Sequence, residues 1–356
     1  MKDSQQALVS VVIPAYQAAE RIRETLDSVF AQTYPNLEVV LVNDGSPDTE
    51  ALEAAIRSYG EKLIYIRQEN RGPSGARNTA IRAARGKYIA CLDSDDLYLP
   101  GHVASLVQLL EREGFDLVYS DSDFTRGGVH VGRAFERQPQ NPPVTFEKLV
   151  TEECGVTTSA TVAVRQSMID AGLFDERYRR CEDFDLWARM SFRGAKIGLL
   201  PQVGIVHHLL PDGLAADSYV LKQAQIEILK KLLRTLPVSA EQKILIEEII
   251  VRTEWLCQKD LVKRYLREGQ YSEARAAAEE AAALSPDPKS QRMARAIRIA
   301  PWAVRQFLAF QEARLARKTG RKMGSAGRTT ANGGNGTGKG VPRPSATIRE
   351  LETKEK

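Results

Sequence analysis

Residues 88–96, Tyr-Ile-Ala-Cys-Leu-Asp-Ser-Asp-Asp, join an apolar run of strand length to three carboxylates, Asp93, Asp95 and Asp96. Carboxylates so crowded repel one another, and a hard divalent cation with oxygen ligands, often shared with phosphate oxygens, offsets the repulsion. The pattern predicts a metal and diphosphate site at the end of a strand. A solvated acidic turn that caps a helix at Pro100 would use the same residues, so the neighbouring sequence has to decide.

Upstream, strand and helix signals alternate about every 25 residues. Residues 8–13 are a continuous, largely β-branched run, and 18–32 place Ile22, Leu26, Val29 and Phe30 at helical spacing. Strands follow at 39–42, 63–66 and 88, separated by helices marked by Leu52, Ile56 and Tyr59 and by the small residues of 74–84. The alternation predicts an α/β layer on a mainly parallel sheet, with ligands outside the carboxyl ends of the strands. Asp44 and the Asp93–Asp96 cluster fall at such ends. A helix at 100–112 and a strand at 117–119 continue the pattern. Residues 121–147, with Gly127-Gly128 and Pro139, Pro142 and Pro143, are expected to be a long irregular excursion. Beyond it come a strand at 161–164, a short helix at 166–172, a helix at 182–192 and two short strands, 197–200 and 203–206.

Five runs stand in order: Val9-Ser-Val-Val-Ile-Pro-Ala-Tyr16, Val40-Leu-Val-Asn-Asp-Gly-Ser46, Asn70-Arg-Gly-Pro-Ser-Gly-Ala-Arg-Asn78, Leu92-Asp-Ser-Asp-Asp96 and Glu182-Asp-Phe-Asp-Leu-Trp187. Together, over residues 8–210, they closely resemble the family 2 glycosyltransferases. The resemblance implies a GT-A-type, Rossmann-like sheet sandwiched by helices. It also implies inverting transfer from a nucleotide-diphospho sugar, UDP-linked in the first instance, to a hydroxyl of a glycan or lipid-linked acceptor in cell-surface polysaccharide or glycoconjugate synthesis.

The resemblance assigns roles residue by residue. Asp44 binds the donor base, Pro14 and Tyr16 line the nucleotide pocket, Arg77 reaches the donor, and Asp93 faces the ribose or the sugar. Asp95 ligates Mn²⁺ or Mg²⁺, with Asp96 in support, and His207 or His208 adds a ligand, His208 being preferred. Asp183, the second acid of Glu182-Asp183, is the general base, with Asp185 its nearest rival. Two departures stand out: Asn43 replaces a common aspartate, and Val206 stands where an arginine usually precedes the histidine. Each residue also has a plain structural use, such as Asp44 and Asp183 as helix caps, Tyr16 as packing, or Arg77 in a salt bridge.

The expected catalytic domain is 1–210, followed by a helical region, 211–322, and a low-complexity, disordered basic tail, 323–356. Within the helical region Tyr265 to Tyr271, then Ala274, Ala278, Ala282 and Pro286, resembles a single tetratricopeptide hairpin, either a plain helical pair or a partner platform. Residues 294–322 mix Trp302, Phe307 and Phe310 with many arginines and suit either an anionic membrane surface or a docked helix with a solvated basic end. From Gln311 on, eleven Lys and Arg face four Glu, so against a whole-chain net of +4 the body is mildly acidic at −3. No nucleic-acid partner is expected for such a body.

The amino-terminal residues lack an apolar core and no run reaches a spanning length, so the expected location is the cytoplasm, or peripheral on the cytoplasmic face of the inner membrane. Cys91, Cys154, Cys181 and Cys257 form no CxxC pair and are expected as free thiols. Gly333 to Lys339 nearly spells a P-loop, but Gly340 stands where Ser or Thr is required, and Asn335-Gly-Thr337 is a sequon in form only. Two other classes stay open. One is a non-catalytic sugar-nucleotide-binding protein whose helical C-terminus is the functional part, against which the acids at 44, 93, 95 and 183 count. The other is a nucleotidyltransferase, against which counts the Pro-Ala-Tyr-Gln-Ala that replaces a glycine-rich loop after the first strand.

Overall fold

The computed structural model describes residues 6–138, 140–210, 217–285 and 287–326. The near-P-loop, the sequon, Pro286 and all of the tail from 327 on lie outside the described residues. The elements in order are β1 (Val9–Ala15), α1 (Ile22–Phe30), β2 (Leu37–Asp44), α2 (Thr49–Ile56), β3 (Leu63–Gln68), α3 (Gly72–Ala83), β4 (Tyr88–Cys91) and β5 (Leu97–Tyr98). Then come α4 (His102–Glu113), β6 (Leu117–Arg126), β7 (Val129–Arg133), α5 (Ala134–Arg137), α6 (Phe146–Val150), β8 (Thr161–Val164), α7 (Arg165–Asp170), α8 (Glu182–Phe192) and β9 (Ile197–His208). Helices α9 (Ser218–Thr235), α10 (Ala240–Glu268), α11 (Tyr271–Leu284), α12 (Pro288–Ile299) and α13 (Pro301–Ala326) complete the chain.

One sheet runs β3-β2-β1-β4-β8-β6-β9-β5, with β7 hairpinned onto β6. The half from β3 to β4 is parallel, as the alternation predicts. The other half is mixed: β8 is antiparallel to both β4 and β6, while β9 is parallel to β6. β1 is buried on both faces, which is why its sequence, apart from Ser10, is apolar rather than alternating. Val9, Val11 and Ile13 pack with Ile22, Leu26, Val103 and Leu106, whereas Val12 packs with Ala76, Ala80, Ile81 and Trp187 on the opposite face. Each such side chain contributes about 1.5–3 kcal/mol of burial.

Two expectations are corrected. Residues 121–147 are not irregular throughout: β6 continues to Arg126 and turns through Gly127-Gly128, both at positive φ (56° and 78°), into β7 and α5, and only the described residues from 138 to 145 lack a regular element. The two short strands at 197–200 and 203–206 are one strand, β9, whose pairing with β6 slips between Leu200 and Val203.

Residues up to Pro301 form one compact unit. The change at 210 is from sheet to helix, not a break in packing, because Phe146, Val150 and Ala188 share a core with Ile226, Ile228, Leu229, Leu232 and Ile246. The tetratricopeptide-like pair is α10 and α11, joined at Gly269, whose φ of 78° ends α10. The second unit begins at Trp302 and within the described residues is α13. The stretch read as continuous over 294–322 is therefore two helices separated at Ala300-Pro301. All four cysteines are unpaired. No helix of the described residues is long and apolar enough to cross a membrane.

Candidate active site

Asp44 ends β2, in register with Gln68 at the end of β3. Its Oδ1 accepts from Gln68 Nε2 (2.6 Å) and from the Arg71 backbone N–H (2.9 Å). Both bonds fall on the same oxygen, which fixes the carboxylate and leaves Oδ2 for a ligand. Asn43, where an acid is common, is consumed by the fold: it donates to Thr49 and Tyr65 (both 2.9 Å) and accepts from the Ser46 N–H. Pro14 lies at the end of β1, and Tyr16 just beyond it is 49% exposed, an aromatic face without burial to explain it.

The acid cluster folds as one turn, the Asp96 N–H donating to the Asp93 carbonyl (3.1 Å). β5 then pairs with β9, Leu97 opposite Val206, and so carries the turn to His207 and His208. Asp96 is fully buried; it takes His207 Nδ1 at 2.9 Å and the His208 N–H at 3.2 Å. Burial pushes the His207 ring down, but the carboxylate of Asp96, helped by Asp93 and Asp95, outweighs it and raises the ring to about 9. Burial also pulls Asp93 upward, against which Arg77 at 2.5 Å holds its carboxyl below the usual range. Asp95 has only the weaker pull of His207. Burial, with Asp96 and Asp93 adding repulsion, raises it to about 6. His208 Nδ1 lies on the Asp95 carbonyl, a contact that fixes the ring orientation and does not use Nε2.

Arg77 is buried, with its guanidinium spent between Asp93 (2.5 Å) and Glu182 Oε1 (2.6 Å). It thus spans from the acid cluster after β4 to the first residue of α8. Asp183 lies in the first turn of that helix, where the N-terminal dipole favours a carboxylate. Its Oδ1 accepts the Phe184 N–H (2.8 Å) and its Oδ2 accepts Thr158 Oγ1–H (2.6 Å). Cys181 immediately before it is held at φ 55°, an uncommon conformation for a side-chain-bearing residue. Asp185 is wholly buried, bound by Arg189 Nε and Nη2 (2.9 and 2.7 Å) and by Lys231 Nζ (2.5 Å). It has no room to meet a substrate.

Thr158 and Ser159, Glu182, Gln68 and Lys231 were not singled out from sequence. The only signal for the first two is a run of hydroxyls, Thr157-Thr-Ser159, ahead of a strand. Among the described residues no group of three or more His, Cys, Asp or Glu converges on one point. A cation held by Asp95 and His208 would therefore complete its shell from phosphate oxygens and water, which hard divalent ions commonly do. The residues fit such an ion: a crowded carboxylate that makes no direct ion pair stands beside an oriented imidazole.

The model for "Glycosyl transferase family 2" matches residues 10–172. An uncharacterized glycosyltransferase of Rickettsia bellii is 33% identical over 53% of this chain and 28% of its own length, so the chain spans well under two thirds of that relative. The amylovoran biosynthesis glycosyltransferase AmsB of Erwinia amylovora is 30% identical over 56% of this chain and 69% of its own. WfaP of Escherichia coli, a UDP-Glc:alpha-D-GlcNAc-diphosphoundecaprenol beta-1,3-glucosyltransferase, is 26% identical over 63% and 86%. Among solved structures, S. aureus TarS 1-349 in complex with UDP superposes with a TM-score of 0.57, 18% identity and coverage of 86% and 92%. The mannosyltransferase PcManGT from Pyrobaculum calidifontis, in complex with GDP-Man and Mn²⁺, gives 0.58, 22%, 87% and 85%. The fold is of the GT-A type, and with the family model over 10–172 and 30% identity across 69% of AmsB, the chain belongs to glycosyl transferase family 2.

Proposed function

We propose that this chain transfers a sugar, with inversion, from a UDP-linked donor to a hydroxyl of a glycan or lipid-linked acceptor in polysaccharide assembly, with Mn²⁺ or Mg²⁺ as cofactor. The observation that carries the reading is how the acids divide. Asp96 and Asp185 are fully buried and ion-paired within the protein, whereas Asp95 and Asp183 are only partly buried and make no such pair. The UDP in TarS, the GDP-Man and Mn²⁺ in PcManGT, and the lipid-diphosphate substrate in the name of WfaP support the substrate classes.

Asp44 Oδ2 takes the donor base, with Tyr16 and Pro14 forming a wall. Arg77 acts on the donor through Asp93, whose carboxylate it orients. Asp95 and His208 hold the cation, which when bound takes up charge on the departing diphosphate. Asp183 accepts the proton of the acceptor hydroxyl as that oxygen bonds to C1 and the C1–phosphate bond breaks with its electron pair leaving on the diphosphate. Attack opposite the leaving group inverts the centre. We also propose that the 294–322 stretch contacts an anionic membrane surface on its cytoplasmic face, since Trp302, Phe307 and Phe310 on α13 are 56–67% exposed and the sequence there is basic.

The test is radiolabelled sugar transfer with a nucleotide-sugar panel and Mn²⁺, on wild type, Asp183→Asn and Asp95→Asn. Asp183→Asn should bind donor normally and lose transfer by roughly 10²–10⁴-fold, and Asp95→Asn should lose metal-dependent donor binding. Donor binding without turnover by wild type would replace this reading with the non-catalytic binder, and near-normal transfer by Asp183→Asn would remove the base.

A further inference from the structure

Thr158 opens a single 3-10 turn, Thr158–Ala160, that leads into β8 between β4 and β6. The turn is buried, Thr158 being 5% and Ser159 1% exposed. It touches both halves of the site. Ser159 Oγ accepts the Asp93 N–H (3.1 Å), and Thr158 Oγ1–H donates to Asp183 Oδ2 (2.6 Å). The turn is itself locked, because Thr161 Oγ1 donates to the Thr158 carbonyl at 2.7 Å. On the other side Arg77 makes a second bridge between the same two places, Asp93 and Glu182.

We infer that Thr158 is a positioning residue for the base, an inference that rests on the reading of Asp183 proposed above. The Phe184 N–H alone would hold one carboxylate oxygen and leave the other to swing. With Thr158 on Oδ2 the carboxylate plane is fixed relative to Asp93, because Thr158 and Ser159 are adjacent residues of one rigid turn. A carboxylate oxygen has two lone pairs, so the bond from Thr158 leaves one free to receive the acceptor proton. Catalysis depends on such alignment: about 1 Å of misplacement costs about 10²-fold.

The experiment compares Thr158→Val, which replaces the hydroxyl by a methyl of similar size, with Thr158→Ser, which keeps it, in the full-length chain. Thr158→Val should lower kcat by about 10- to 100-fold with donor KM within about twofold, and Thr158→Ser should stay close to wild type. In an Asp183→Asn background Thr158→Val should cause no further loss, since its effect passes through the missing carboxylate. The inference is overturned by a Thr158→Val kcat within about twofold of wild type, by an equal loss in Thr158→Ser, or by an additive loss in the double variant. Should Thr158→Val fold poorly, Thr158→Ala, which removes the hydroxyl without adding a group to the site, should show the same loss of kcat at unchanged donor KM, and a kcat within about twofold of wild type overturns the inference. If Asp183→Asn itself is fully active, the base reading falls; if it is inactive while Thr158→Val is normal, only the role of Thr158 falls.

Discussion

Replacing Lys231 by Met should destabilise the protein by about 3 kcal/mol. The ammonium lies 2.5 Å from Asp185 Oδ1 and 3.3 Å from Asp175 Oδ2, and the Lys231 and Asp185 side chains are 8% and 0% exposed. Removing one member of a buried pair strands a charge that water cannot reach, at a cost of about 3–5 kcal/mol. The lower end applies because Arg189 still donates twice to Asp185 Oδ2, so only Oδ1 is orphaned. Urea denaturation followed by tryptophan fluorescence suits the test, since Trp187 is buried on the same helix as Asp185. With a slope of about 3 kcal/mol per M the midpoint should fall by about 1 M. Lys243→Met is the control, its contact with Glu247 being 3.9 Å long and the side chains 62% and 53% exposed, where a change within about 0.5 kcal/mol is expected. A Lys231→Met midpoint no lower than that of Lys243→Met would refute the reasoning.

His102 supplies a pH dependence. Burial lowers its ring from 6.5 to about 3, so the unfolded chain takes up a proton that the folded chain refuses. The associated stability is complete above pH 6.5 and is lost as pH falls from 6.5 to 3, by up to about 1.4 kcal/mol per pH unit. Denaturation midpoints at pH 7 and pH 4.5 should converge more in His102→Gln than in wild type, and an unchanged pH slope would contradict this. On α13, changing Trp302, Phe307 and Phe310 together to Ser should leave the protein in the supernatant when wild type sediments with phosphatidylglycerol vesicles; equal sedimentation of both would exclude the membrane contact.

The parallel half of the sheet was legible because β1 and β2 are buried on both faces and read as almost wholly apolar runs, Val9–Ile13, interrupted only by Ser10, and Val39–Val42. The other half was not. Pro201 reads as a strand break, yet it sits where β9 slips against β6 between Leu200 and Val203, a bulge at which a missing backbone donor costs little. The hairpin of β6 and β7 hid for a different reason. Its outer residues are exposed, Val129 by 55%, so no apolar alternation survives to mark a strand and only the Gly127-Gly128 turn does.

The site divides along the same line, between what is local and what depends on distant partners. Asp95 and Asp96 are adjacent, and Asp183 and Asp185 share a helix turn, so position and type cannot rank the members of either pair. Partners far along the chain do: His207 for Asp96, and Lys231 on α9 for Asp185. A carboxylate that loses all contact with water needs a cation and hydrogen bonds to remain ionised, so each of these two acids is committed to holding the next element in place, β9 in one case and α9 in the other. The acid left beside it keeps its exposure and is braced by short contacts instead, Asp183 by Thr158 and its own helix. The helical extension therefore reaches α8 through Lys231, and a chain cut at residue 210 would carry all five of the runs quoted from the sequence while leaving Asp185 without its ammonium, two residues from the base proposed above.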